Sequence, residues 1–420
     1  MCELAQHDSV PEVGDLDGEA LWMDRQRHLH VVQISRDEAL VCGPRDDEPV
    51  QRQICYGQLL GELSPGARMT VLVLIRGDVG GSAVAYSVGN VRFEPLPGRI
   101  VGRLKLWAAL RKLHRQHPID VITTQTVFDE AWLALAFARC SGARVVGQIH
   151  YDLFSNHART QHFGKGWLGR LRWRLGLLGL RYFHAIRTVG RRIAQEIRRR
   201  RLNYNVHVLP VAVSHLKVAS GTSPIENREA RVLFVGRLAA EKNLGEWLRV
   251  AAMVARQLPE ARFDIVGEGP ERNRLIELTR KLGIEGKVSF HGLAPSRELW
   301  RYYTRARVLL LTSHYEGFGR VLVEGYAYGL PAVAYSCAGV EDIIVHGETG
   351  FLHPQEATAE AAESVVRLLT EPGLSKRMGM AGYERVRSLY DPDKLARAWV
   401  ELLVATVRQS RNRIWCMSGD

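Results

Sequence analysis

The chain has 420 residues, 46% of them hydrophobic and 24% charged, with a formal net charge of +12. That length exceeds one ordinary core and fits two domains, and the balance of apolar and charged residues excludes a disordered or fibrous protein. No apolar run approaches the roughly 20 residues that cross a bilayer, and the six cysteines (Cys2, Cys42, Cys55, Cys140, Cys337 and Cys416) lack metal-ligand or paired spacing, so neither a zinc site nor a disulfide frame is expected. The positive charge favours nucleic acid, anionic lipid or a phosphorylated substrate without choosing among them.

Residues 1–28 carry Glu3, Asp8, Glu12, Asp15, Asp17 and Glu19 without sustained periodicity and read as a flexible leader. A stretch that is acidic and lacks an apolar core fits neither a secretory signal nor a basic transit peptide, which points to the cytosolic side. From residue 29 buried strands alternate with helices. Strands are expected at His30–Ile34, Met69–Ile75, Val91–Pro95, Asp120–Thr124 and Arg144–Ile149, with helices at Gln51–Leu63, Arg103–Arg115 and Ala131–Cys140. This alternation implies a parallel sheet whose carboxyl edge forms a crevice. His150 ends one of its strands; Gln125, Asp129, Arg187 and Thr188 follow or end others and are candidate acceptor contacts.

Between Phe163 and Tyr182 the pattern changes. Lys165, Arg170, Arg172, Arg174 and Arg181 interleave with Trp167, Leu168, Leu171, Trp173, Leu175, Leu178 and Leu180, and no acidic residue intervenes. Helices of that composition lie in membrane interfaces, arginines on headgroups and tryptophan at the acyl boundary; the alternative is a helix packed on the sheet with snorkelling arginines. Arg191, Arg192 and Arg198 to Arg201 extend the positive face.

Asn205–Val213 reads as a strand closing the first half (29–213), and the Ser-, Gly- and Pro-rich stretch 214–229 as a linker. A second α/β half (230–390) begins with the strand Arg231–Val235. A last helix (391–408) and a frayed tail (409–420) follow. In the second half the glycines gather at strand ends. Gly236 and Arg237 precede Lys242; Gly267 flanks Glu268 with Gly269; Gly292 follows His291; and after the apolar run Val308–Thr312 come Glu316, Gly317, Phe318, Gly319 and, on the next helix, Glu324. Glycines let a ligand approach backbone, helix amides attract anions and carboxylates accept sugar hydroxyls, so this edge suits a phosphorylated sugar.

From about Val232 to Pro354 the order and spacing of these residues, with Gly329, Pro331 and Gly339, resemble the C-terminal half of retaining family 4 glycosyltransferases. The resemblance implies an α/β chain of GT-B fold, two Rossmann-like domains facing a cleft. It implies that Arg237 and Lys242 bind the donor diphosphate, Glu316 the transferred sugar and Glu324 the nucleotide ribose. Gly236, Gly267 and the amides of Gly317, Phe318 and Gly319 would complete the nucleotide-sugar seat, with His150 near the anomeric carbon. It also implies that the last helix crosses back onto the first half.

The first strand departs from the pattern: Ser35, Arg36 and Asp37 stand where relatives have a glycine-rich loop, and Arg36 or Arg45 would have to compensate. The two glutamates alone allow a glycosidase pair, but the ribose role leaves no second carboxylate at the sugar carbon. A front-face substitution needing no metal and no cofactor is then expected, from a nucleoside diphosphate sugar to a glycan or lipid-linked acceptor on the inner membrane face. An epimerase on this fold is the alternative. A basic lipid- or nucleic-acid-binding protein is another, but no nucleic-acid reading module is evident, and no GxGxxG follows a first strand as an oxidoreductase requires.

Overall fold

The computed structural model describes residues 28–75, 83–97, 101–213, 225 and 228–408. The acidic leader, the tail and most of the linker stretch lie outside the described residues. The first half runs β1 (His30–Ser35), α1 (Ala39–Cys42), α2 (Glu48–Leu63), β2 (Arg68–Ile75), β3 (Tyr86–Val88), β4 (Val91–Pro97), α3 (Val101–Gln116), β5 (Val121–Thr124), α4 (Asp129–Ser141), β6 (Arg144–Ile149), α5 (Asn156–Phe163), α6 (Gly166–Gly179), β7 (Ala185–Thr188), α7 (Arg191–Arg199) and β8 (Val206–Val208). Its sheet has the order β3-β4-β2-β1-β5-β6-β7-β8, parallel except for the edge pair β3 and β4.

Every residue of β1 is buried because helices cover both faces. Side chains alternate: Val32 and Ile34 join a core with Leu106 and Leu110 of α3 and Ala131 and Ala134 of α4, while Val31 joins Val50, Tyr56 and Leu60 of α2.

The second half runs β9 (Arg231–Val235), α8 (Leu244–Gln257), β10 (Arg262–Val266), α9 (Arg272–Lys281), β11 (Val288–Gly292), α10 (Trp300–Arg305), β12 (Val308–Leu311), α11 (Arg320–Ala327), β13 (Ala332–Tyr335), α12 (Ala338–Glu341), β14 (Gly350–His353), α13 (Thr358–Thr370), α14 (Pro372–Leu389) and α15 (Pro392–Arg408). Its sheet, β11-β10-β9-β12-β13-β14, is parallel throughout. The chain leaves β9 toward β10 on one side and returns to β12 on the other, so the carboxyl ends of β9 and β12 flank the crevice that such a reversal creates. α15 lies on the first half, where Trp399, Val400 and Leu403 share a core with Tyr56 and Leu60 of α2. The Arg187 guanidinium sits 4.7 Å from the Trp399 ring.

Three segments differ from the expected elements for local reasons. The strand at Asn205–Val213 shortens to Val206–Val208, because Arg187 takes the carbonyls of Leu209 and Pro210, at 2.8 and 2.6 Å. The basic stretch Phe163–Tyr182 forms α6 and a 3-10 turn at Leu180–Tyr182, and Gly164 and Gly166, at φ +95° and +75°, separate it from α5. Arg228, within the linker stretch, is buried and donates to the carbonyls of Tyr303, Ala306 and Tyr328 in the second half.

The halves meet at backbone distance. A Cβ on Gly317 would lie 1.8 Å from the His150 carbonyl oxygen, and the Asp342 carboxylate accepts the Arg191 amide, which opens α7, at 2.7 Å. Gly317→Ala is therefore expected to force the halves apart at this point and destabilise the chain by about 1–3 kcal/mol, the usual cost of overpacking. Urea unfolding, with a small-angle scattering radius of gyration, measures both; an unchanged midpoint and radius would show that the contact is dispensable.

Candidate active site

The site is assembled at the carboxyl ends of β9 and β12. Beyond β9, Gly236 at φ +152° donates its amide to Val266 at 2.9 Å, and Gly267 donates to Gly292 at 2.7 Å. A Cβ on Gly267 would stand 1.9 Å from the Gly236 carbonyl oxygen, so three neighbouring strands end in glycine because their backbones stack there. That stacking clears a floor. Arg237 rises from it with its side chain 61% exposed and pairs with Glu241.

Lys242 leans the other way, toward β12. Its Nζ donates to Glu316 Oε1 at 2.6 Å, and the same oxygen accepts Ser313 Oγ at 2.7 Å. The turn holding Glu316 is fixed behind by Gly339, where a Cβ would lie 2.8 Å from the Glu316 carbonyl oxygen. Gly319, at φ +74°, ends the turn and starts α11; no side chain caps that helix, and within its first turn the Leu322 amide already donates to the Gly319 carbonyl at 2.9 Å. Phe318 turns its ring into the core, 5.7 Å from Tyr390, leaving only backbone for a ligand.

These residues wall a cavity of about 410 Å³ that includes Gly236, Arg237, Lys242, Glu316, Gly317 and Arg320. Its size suits a nucleotide-sized ligand. Two cations and helix amides give it an anion-binding side, and the Glu316 carboxylate a hydroxyl-accepting one.

Glu324 stands apart from that wall. It is 2% exposed, and its carboxylate accepts Tyr303 OH at 2.6 Å on one oxygen and Arg320 Nε at 2.6 Å on the other. Burial and then the adjacent Glu324 charge push the Tyr303 phenol well above its ordinary range, so it remains a donor. Arg320, which covers Glu324, also donates to Glu48 of α2 at 3.0 Å. Sequence reading passed over Arg320, Ser313, Tyr303 and Glu48. Only Arg320 carried a signal, an arginine four residues before Glu324 on one helix face; Glu48 is 272 positions away.

In the first half His150 joins the site through its backbone against Gly317. Among the described residues its Nε2 is buried without a hydrogen-bond partner, and burial, reinforced by Arg187 and Arg52, pushes the ring down to about 3. It is a neutral imidazole at physiological pH. Arg36 is engaged with Glu130 and, at 3.6 Å, with Asp129. Gln125 accepts Ser35 Oγ at 2.8 Å, and Arg45 stacks on Tyr86 at 4.8 Å. Arg36 and Arg45 thus have partners within the first half and lie outside the cavity wall. Among the described residues no cluster of three or more His, Cys, Asp or Glu forms a metal cage.

Two family models match adjoining parts of the chain, "Glycosyl transferase 4-like domain" at residues 58–212 and "Glycosyl transferases group 1" at 219–385. The chain belongs to the group 1 glycosyltransferases. The second match contains every cavity residue of the second half, and the first contains His150.

The chain is 31% identical over 182 residues to glycogen synthase of Mycobacterium tuberculosis, covering 43% of this chain and 44% of that one. It is 35% identical over 147 residues to alpha-D-kanosaminyltransferase of Streptomyces kanamyceticus, covering 35% and 38%. It thus spans less than half the length of these curated relatives. Among solved structures it is similar to sucrose-phosphate synthase from Thermosynechococcus elongatus, with a TM-score of 0.76 at 21% identity over 91% of this chain and 100% of that one. Anabaena HepE in complex with UDP-glucose gives 0.68 at 16% identity over 90% and 100%. These neighbours fix the fold as GT-B.

The His150 environment predicts a pH dependence. Between about pH 3 and 6.5 the unfolded chain binds a proton at this ring that the folded chain does not, so stability falls as pH drops below 6.5. The slope per histidine is at most about 1.4 kcal/mol per pH unit, and His184, held down to about 4 by burial first and then by Arg144, acts with the same sign. Urea unfolding at pH 7 and pH 5 should show a smaller loss in His150→Gln than in the wild type; equal losses would mean the ring is protonated when folded.

Proposed function

We propose that the chain is a retaining hexosyltransferase that moves a sugar from a nucleoside diphosphate to a lipid-linked or polysaccharide acceptor on the cytosolic face of a membrane. The carrying observation is the Lys242–Glu316 pair at the β9/β12 switch, with Arg237 beside it and glycine backbone beneath it. In this reading Arg237, Lys242 and the first amides of α11 take the diphosphate. Glu316 accepts a hydroxyl of the transferred sugar, and Glu324 a ribose hydroxyl. His150 faces the sugar as a neutral hydrogen-bonding group.

Transfer breaks the bond between the anomeric carbon and the phosphate oxygen and forms one to the acceptor oxygen on the same face. The acceptor proton passes to the departing phosphate oxygen. Negative charge therefore grows where the two cations stand, and stabilisation that strengthens along that path accelerates the step. The same cations replace the charge a metal would supply. Two relatives are named glycogen synthase and alpha-D-kanosaminyltransferase, and HepE is complexed with UDP-glucose, which makes uridine the first base to test.

α6 supports the membrane location. Its glycines Gly169, Gly176 and Gly179 face inward, whereas Trp167, Leu168 and Leu171 are 68%, 56% and 45% exposed. Lys165, Arg170, Arg174 and Arg181 are exposed beside them. Trp173 and Leu177 pack this helix on the core, so the Trp167, Leu168 and Leu171 stripe with arginines beside it is a second, solvent-facing apolar surface that matches an anionic bilayer interface. Among the described residues no helix is long and apolar enough to cross a membrane.

Lys242→Ala and Arg237→Ala are each expected to lower kcat by about 10²–10³ with the fold intact. Sugar release and transfer from UDP- and GDP-hexoses, with circular dichroism as control, test this; wild-type rates in both would sink the assignment. For the membrane, the combined change Trp167→Ala, Leu171→Ala, Arg170→Gln and Arg174→Gln should abolish flotation with phosphatidylglycerol vesicles. Flotation equal to wild type would place α6 outside the binding face.

A further inference from the structure

Arg320 is the first residue of α11 and part of the cavity wall. Besides Glu324 in its own half it holds Glu48, the first residue of α2, across the crevice at 3.0 Å. The other Glu48 oxygen accepts Arg52 Nη1 at 2.7 Å, and the other Glu324 oxygen accepts Tyr303. A continuous chain from Tyr303 through Glu324, Arg320 and Glu48 to Arg52 thus ties the two halves together beside the cavity.

Burial separates this tie from two exposed arginine bridges between the halves, Arg297–Asp46 and Arg192–Glu341, the latter 3.3 Å long. Glu48 is 9% exposed and Glu324 2%, so a charge-assisted bond between them and Arg320 competes little with water. The nearby Arg297–Asp46 pair, 3.5 Å long with side chains 75% and 71% exposed, contributes little by comparison. A guanidinium is suited to the role because its planar fork offers fixed donors to two carboxylates at once, which the point charge of a lysine does not.

We infer that Arg320 is a positioning residue that couples occupancy of the nucleotide seat to the hold of the first half, with Glu48 as its receiver. This rests on the donor reading, in which Glu324 meets the ribose. An ionised carboxylate has roughly four acceptor directions, so Glu324 takes a ribose hydroxyl while keeping Tyr303 and Arg320. The diphosphate adds negative charge beside the same guanidinium. A seated nucleotide therefore fixes Arg320 further, and Arg320 fixes α2. Closure of that kind keeps water from the leaving diphosphate and favours transfer over hydrolysis.

Hydrogen exchange of the start of α2, residues 47–52, measured on the full chain with and without UDP or GDP, reads this directly, because the ligand sits in one half and the reporter in the other. In the wild type the nucleotide should slow exchange there about tenfold. Glu48→Gln should abolish that response and, by reciprocity, weaken the nucleotide by no more than about that tenfold, and Arg320→Gln should abolish it and weaken binding further. Arg320→Lys should not restore it. Thermal unfolding confirms that each variant is folded. A response that persists in Arg320→Gln at saturation, or a Glu48→Gln affinity as weak as that of Arg320→Gln, overturns the coupling. Binding without any response in the wild type overturns the coupling alone; failure of the wild type to bind either nucleotide overturns the donor reading with it.

Discussion

Backbone proximity is the constraint on which the other features of the site depend. At Gly317 the second half comes so near the His150 carbonyl that a methyl group would not fit, and at Gly267 two strand ends of the same sheet do likewise. Backbone brought that close leaves amides and carbonyls, rather than side chains, as the surface presented to a ligand. The charges then have a floor to stand on. Lys242 reaches Glu316 from β9 to β12 because the reversal in strand order places those two ends together.

The electrostatics divide into three grades by access to water. Arg237 is solvated and pairs with Glu241, four residues away, with its side chain 61% open to an incoming anion. Lys242 and Glu316 are largely covered and hold one another at 2.6 Å, which orients the carboxylate that the proposed reaction places on the sugar. Glu324 is 2% exposed and holds Tyr303 on one oxygen and Arg320 on the other. A single stretch from Glu316 to Glu324 therefore carries two carboxylates with different surroundings. α6 sets a different problem in the first half: Gly169, Gly176 and Gly179 are buried and Trp173 packs inward, donating to the Leu153 carbonyl at 2.8 Å, while Trp167, Leu168 and Leu171 display an apolar stripe.

Much of this was legible in sequence. Strands β6 and β9 begin and end where apolar runs and turn residues place them, since burial on both faces favours Val, Ile, Leu and Phe. The cavity residues Gly236, Arg237, Lys242, Glu316 and Gly317 were also legible, because each sits within a few positions of a strand end. Phe318 was read for its amide, and the structure adds that its ring is core. Arg36 and Arg45 were read as phosphate contacts on charge alone, and their partners Glu130 and Tyr86 lie at distances in sequence that no local pattern reports.

By itself the sequence determined the alternation of strands and helices, the division into two halves and the order of glycines, cations and carboxylates along the second, because these follow from local periodicity and residue type. Tertiary structure alone decided which of those groups meet. That Gly317 touches His150, that Glu324 lies beneath Arg320 and out of the cavity wall, and that Glu48 joins them from the other half are consequences of how two sheets and a returning helix pack. The physical reason is range: periodicity and propensity act over a few residues, whereas an ion pair across 272 positions exists only once both cores have formed.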